Sequence, residues 1–267
     1  MTGSVEDAWA RLADPFVDGA YASFKGRVRT FVLHQQLLGH LPPPPATILD
    51  VGGGAGHQSF PLAAAGYPVT LLDPSPTMLD KASFRLATES PEVRERVDLV
   101  QARGEDAAVA TGGRTFDVVL CHGVLMYLNR PETMIAALCR CVTPGGLVSL
   151  MALNARTLAV RPAVEGRWAD ALTAFDATGE PGVLGVDTRA DTVDGLSKLL
   201  LEHGVEEVAW YGVWLFSDWM TIDPSDEDEA STAAKVELAA SRRDPYRQLS
   251  RVFHLLGRRR PDVPGRG

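Results

Sequence analysis

The sequence predicts an α/β fold, a mostly parallel sheet with helices on both faces, preceded by a helical N-terminal lid and interrupted by a cap insertion. Three observations carry this: short apolar strands alternate with helix-length segments, a glycine cluster follows the first strand, and the prolines Pro42 to Pro45 set a helical prefix apart. A chain of 267 residues, 45% of them hydrophobic, can bury one large core. The expected division is 1–45 for the lid and 46–267 for the α/β domain, with the cap at about 154–190.

Each element has a local reason. Residues 5–41 read as helical, because Leu33, Leu37, Leu38 and Leu41 form an apolar stripe that the proline run ends. The run Thr47 to Val51 is a strand, an alanine-rich helix follows the glycines, and Pro68 to Asp73 is a second strand, which completes one βαβ unit. The alternation continues with a helix at 75–89, strands at 97–101 and 116–121, a helix at 131–141 and a strand at 147–153. Such alternation implies parallel strands covered on both faces. Residues 154–190 break the rhythm and are expected to cap the carboxyl ends of the strands. A helix at 192–203 and strands at 208–215 and 249–256 complete the domain, and the acidic stretch 223–229 reads as a solvated loop.

A net charge of -8 provides no global positive field for nucleic acid or an anionic membrane. Cys121, Cys139 and Cys141 match no zinc or redox spacing, so no metal is expected and a reducing, cytoplasmic compartment is the natural setting. The N-terminus lacks the order of a signal peptide, and no run reaches the length of a membrane span.

The most informative motif is ILDVGGGAG, in which an apolar strand ends at Asp50 and runs into Gly52, Gly53, Gly54 and Gly56. Glycine lets the backbone turn sharply and approach a ligand closely, and the helix beyond presents free N–H groups. A dinucleotide fingerprint wants G-x-G-x-x-G, whereas this loop reads G-x-G-x-G and then His57, a spacing that favours S-adenosylmethionine. Asp73, closing the second strand in VTLLDPS, can accept from both ribose hydroxyls of either cofactor. The plain alternative is a tight turn and a solvated aspartate, and the register of strand, glycines, helix, strand and acid argues against it.

On these residues the chain resembles class I S-adenosylmethionine-dependent methyltransferases, with ILDVGGGAG and LLDPS as the first two motifs and Pro144 to Gly146 as the late turn. The implied fold is Rossmann-like. More narrowly, the prefix YASFKGRVR, LCHGVL, SLMALNA and DPYRQLSRVFHL are similar to the bacterial tRNA 5-carboxymethoxyuridine methyltransferase family. The resemblance implies cofactor contacts from Arg29 to the methionine carboxylate, from Gly52, Gly53 and Gly54 beside Asp50, from Asp73 to the ribose, and from Gly104 and Glu105 to the adenine. It also puts His122 where cofactor and acceptor meet. Each has a duller reading: Arg29 as a solvated helix charge, Glu105 as a helix start, His122 as a buried hydrogen-bonded histidine.

The chain also departs from that family. Residues 176–190 read DATGEPGVLGVDTRA where the resemblance implies a lysine-rich segment, and Met126-Tyr127 stand in place of an acidic residue and a tryptophan. Phosphate neutralisation supplies much of nucleic-acid affinity, so the sequence favours a small-molecule acceptor, with tRNA as the alternative. A carboxylate acceptor needs no base but needs an orienting cation, for which Lys25, Arg156 and His122 are candidates. A hydroxyl or amine needs a base, for which His122 leads and Tyr127 is the helper. Trp9, Tyr21, Trp168, Trp214 and Trp219 are candidate walls of the acceptor pocket. A non-catalytic cofactor-binding protein and an NAD-dependent oxidoreductase stand as the rival readings.

Overall fold

A computed structural model describes residues 13–182, 185–219, 224 and 226–261. Nine strands are described: β1 (Ile48–Val51), β2 (Val69–Asp73), β3 (Val97–Gln101), β4 (Phe116–His122), β5 (Val142–Leu153), β6 (Gly179–Pro181), β7 (Asp187–Arg189), β8 (Val205–Val213) and β9 (Val252–Arg259). Seven of them form one sheet in the order β3-β2-β1-β4-β5-β9-β8, and β6 and β7 form a separate hairpin. The first five strands of the large sheet run parallel, and β9 runs antiparallel to both of its neighbours, β5 and β8. The order reverses direction between β1 and β4, which opens a crevice at their carboxyl ends, the usual ligand position in such sheets.

Side-chain alternation explains why both faces are dry. Leu49, Val51, Val119, Cys121, Val148 and Leu150 pack on one face with Ile135 and Leu138 of the Pro131–Cys141 helix. Ile48, Leu71, Val118 and Leu120 occupy the other with Phe60 and Leu62. Successive residues of a strand point to opposite faces, so an all-apolar strand such as β1 must be covered twice.

The N-terminal region is not one continuous helix. A π-helical turn, Pro15–Tyr21, is followed by a new helix, Phe24–Leu38, whose Ser23 cap accepts from the Gly26 N–H at 3.1 Å. Gly26 makes the junction possible: a Cβ there would lie 2.1 Å from the Ala20 carbonyl oxygen. Val28, Val32 and Leu33 are buried with Met151, Val213 and Val252, so this helix is part of the core. Residues 1–12 of the expected prefix, Trp9 among them, lie outside the described residues.

The expected cap holds two short helices, Val160–Val164 and Trp168–Ala174, and the β6–β7 hairpin. The acidic stretch corrects the sequence reading. Part of it lies outside the described residues, but Asp226 caps a helix over Glu227–Ala240 by accepting from the Glu229 N–H at 2.9 Å. Acidic residues in the first turn complement the helix dipole, and Ala230 and Ala234 bury the inner face. Acidic residues after an aspartate cap thus mark a helix start here, where the sequence predicts a solvated loop.

Candidate functional site

The glycine loop leaves β1 between two neighbours that dictate its composition. Gly52 and Gly54 have φ of 73° and 55°, and a Cβ on Gly52 would meet Val124 Cγ2 at 2.3 Å. No other residue combines that backbone with that space. Asp73 then fixes the loop's outer edge: Oδ2 accepts from the Gly54 N–H and Oδ1 from the Ser75 N–H, each at 2.9 Å. Each oxygen keeps a second lone pair. Burial raises the Asp73 pKa, and the two backbone donors oppose that rise. Beneath the loop, Asp50 accepts from Ser59 Oγ at 2.6 Å, and burial lifts its carboxyl to about 6 against the opposing effect of that bond.

Two recesses open at this switch point. The larger is lined by Gly52, Gly54, Asp73, Gly104, Glu105, His122 and Tyr127, with Met78, Leu128 and Met134 as apolar walls. The smaller is lined by Arg29, Asp50, Gly52, Gly53, His57 and His122. Together they gather every cofactor candidate read from the sequence, with Gly52 and His122 common to both. Lys25 lines neither: its ammonium donates to the Asp218 carbonyl at 2.9 Å and sits 3.6 Å from that residue's carboxylate.

Arg29 is 8% exposed, and no described carboxylate lies within ion-pair distance of it. A buried guanidinium without a carboxylate partner calls for an anion. His122 is a buried, hydrogen-bonded histidine that also lines both recesses. Its Nε2 is 2.8 Å from Ser149 Oγ, and its Nδ1 has no hydrogen-bond partner among the described residues. Burial, then His254 and Arg29, push its pKa well below the usual histidine range, so the ring is neutral. Tyr127 is raised by burial and remains a phenol at neutral pH.

Several neighbours went unrecognised in the sequence. Tyr21, expected only as one of several aromatic walls, lines both recesses. His57, noted only as the residue after the glycines, stacks on it, and Ser149, His254 and Gln36 stand behind His122. Of the other aromatic candidates, Trp168 is exposed and Trp214 donates its indole N–H to the Lys25 carbonyl at 2.8 Å.

The donor set fits S-adenosylmethionine: an unpaired guanidinium for a carboxylate, an acid with spare lone pairs for a ribose, an orphaned imidazole nitrogen for an ammonium. Residues 49–148 match the methyltransferase domain family. The chain is 29% identical over 252 residues to tRNA 5-carboxymethoxyuridine methyltransferase of Escherichia coli strain K12, covering 93% of this chain and 94% of that one. It is 34% identical over 114 residues to the ubiquinone biosynthesis O-methyltransferase of Methylobacterium nodulans, 43% of each. Among solved structures, magnesium protoporphyrin IX methyltransferase from Synechocystis PCC 6803 with bound SAH superposes with a TM-score of 0.62 at 16% identity, covering 96% of this chain and 98% of that one. Fold, glycine loop and relatives agree: the chain is a class I S-adenosylmethionine-dependent methyltransferase.

Proposed function

We propose that the protein transfers the methyl group to an oxygen or nitrogen of a small-molecule acceptor. One observation carries this reading: the arginines that would grip a polyanion are already engaged. Arg156 pairs with Asp194, Arg161 with Glu165, and Arg167 with Glu165 and Asp170. Arg258 and Arg259 bond carbonyls, and Arg260 pairs with Glu206. These last three also lie at the wrong end of the sheet, since Arg258 is level with Leu147, near the amino end of the parallel strands.

When bound, the cofactor supplies an electrophilic methyl group on a sulfonium centre. In this reading Arg29 receives the methionine carboxylate, Gly52, Gly53 and Gly54 beside Asp50 let the backbone approach, Asp73 accepts from the ribose, and Gly104 and Glu105 edge the adenine. Val124, Leu128 and Met134 exclude water from one side. Holding the nucleophile close to the methyl carbon is the main contribution such a site makes. A carboxylate acceptor is less well served than a hydroxyl or amine. Of its three candidate cations, Lys25 is held by Asp218, Arg156 by Asp194, and His122 is uncharged.

The second reading, methylation of a wobble-uridine carboxylate in tRNA, is favoured by the similarity to a tRNA-modifying enzyme along 94% of that enzyme's length. Incubation with isotopically labelled cofactor at low salt, in parallel with bulk tRNA and with a metabolite extract, tests the two. Label in the small-molecule fraction is expected. A methylated wobble uridine formed with turnover and absent in His122→Ala would overturn the small-molecule reading.

A further inference from the structure

Behind the site, four polar side chains, His122, Ser149, His254 and Gln36, form a single file from the recesses to the Phe24–Leu38 helix. Ser149 on β5, His254 on β9 and Gln36 on the Phe24–Leu38 helix are at most 4% exposed. Ser149 Oγ lies 2.8 Å from His122 Nε2 and 2.7 Å from His254 Nε2, and His254 Nδ1 lies 2.8 Å from Gln36 Oε1. The Gln36 amide is anchored in turn, its Nε2 donating to the Gly212 carbonyl at 3.0 Å. Buried polar groups of this kind are retained only when every member is satisfied, and here only the last atom, His122 Nδ1, is left open.

The anchor gives the file a direction. A backbone carbonyl can only accept, so the Gln36 NH₂ faces Gly212 and its oxygen faces His254. His254 Nδ1 must therefore carry the hydrogen. Burial pushes the His254 pKa down to about 3, so the ring is neutral and its Nε2 is an acceptor. The Ser149 hydroxyl donates to it, which leaves the Ser149 oxygen to accept from His122 Nε2–H. His122, neutral as well, is then unprotonated at Nδ1, a lone pair on a residue that lines both recesses.

We propose that Gln36, His254 and Ser149 are positioning residues that lock His122 in the Nε2–H tautomer, so that Nδ1 accepts from the ammonium group of the cofactor's methionine end. The assignment rests on the seat described above, in which Arg29 receives the carboxylate of that same end. The opposite tautomer would point an N–H at a cation, and an imidazolium would repel both the ammonium and the sulfonium. The file thus acts as a polarity filter, and its far end is set by a helix that precedes the glycine loop in the chain.

Two measurements test this. Nitrogen-15 NMR of histidine-labelled protein reads the His122 tautomer directly, and calorimetry compares S-adenosylhomocysteine with 5′-methylthioadenosine, which lacks the amino-acid end. Wild-type His122 should be protonated at Nε2 only. Ser149→Ala and His254→Leu should weaken S-adenosylhomocysteine roughly tenfold or more, the scale for a charge-assisted hydrogen bond, with methylthioadenosine held within about twofold. Gln36→Leu removes the acceptor that holds the hydrogen on His254 Nδ1 and should let His122 populate the Nδ1–H form, a change a purely structural role would not produce. A wild-type Nδ1–H tautomer, or equal losses for both ligands in the variants, would overturn the relay. Undiminished S-adenosylhomocysteine affinity in His122→Ala would instead overturn the seat.

Discussion

Tyr21 lies face to face with His57, ring centroids 3.9 Å apart and planes 14° from parallel. The Arg29 guanidinium carbon sits 4.7 Å from the centroid of the same Tyr21 ring. The last residue of the π-helical turn is therefore fastened to the segment just beyond the glycines, and burial with the nearby Arg85 and Arg29 keeps His57 neutral, its pKa pushed down to about 3.

Removing that stack should loosen the site without unfolding the sheet. Tyr21→Ala is expected to weaken cofactor binding roughly three- to tenfold, the scale of an aromatic pair. Hydrogen exchange should slow on cofactor addition in residues 13–22 if that part of the expected 1–45 lid closes on the site, and change little in the Phe24–Leu38 helix, which is already packed. Unaltered affinity in the variant, or no protection of 13–22 in the wild type, would remove the lid.

Asp73 joins the glycine loop to the proposed ribose seat, so its loss acts twice. Asp73→Ala strips acceptors from the Gly54 and Ser75 N–H groups as well as from the ligand, and binding should weaken by about 1 to 3 kcal/mol. Calorimetry with S-adenosylhomocysteine measures it, and wild-type affinity would exclude the ribose role.

Arg29→Lys keeps the charge and discards the fork. If Arg29 grips the methionine carboxylate, affinity for S-adenosylhomocysteine should fall about tenfold while 5′-methylthioadenosine is unaffected. Parallel loss of both ligands would mean that Arg29 supports the recess rather than the carboxylate.

Acid should destabilise the fold through its buried histidines. In the unfolded chain His254 takes up a proton below about 6.5, but in the folded protein only near 3. Between those values the unfolded state holds more protons, so stability falls as pH drops through the window, by about 2 kcal/mol at pH 5. His122 acts in the same direction. Asp50 opposes them: its carboxyl is raised from 3.8 to about 6, so acidification between those values favours the folded state by about 1 kcal/mol at pH 5. Urea unfolding at pH 7 and pH 5 should show the net loss, and His254→Gln should flatten it. A pH-independent midpoint in the wild type would show that these rings are not held neutral.

The sequence by itself determined the parallel half of this protein and the glycine loop with its two aspartates. Those features are local: Asp50, the glycines and Asp73 lie within one βαβ unit, where spacing along the chain is nearly spacing in space. The Pro131–Cys141 helix and β3 were legible for the same reason, since proline at a helix start and a short apolar strand declare themselves without help from distant residues. The helix at Glu227–Ala240 was not, because its acidic first turn reads equally as a solvated loop until Ala230 and Ala234 find a surface to cover. Only the tertiary structure decided what His122 is. Its state depends on Ser149, His254 and Gln36, the last two more than 85 positions away on an antiparallel strand and on the N-terminal helix, and neither periodicity nor motif spacing records a register formed across β4, β5 and β9. Hydrogen-bond direction is a property of the assembled file, fixed by one backbone carbonyl at Gly212, so it comes into existence only when those elements close on each other.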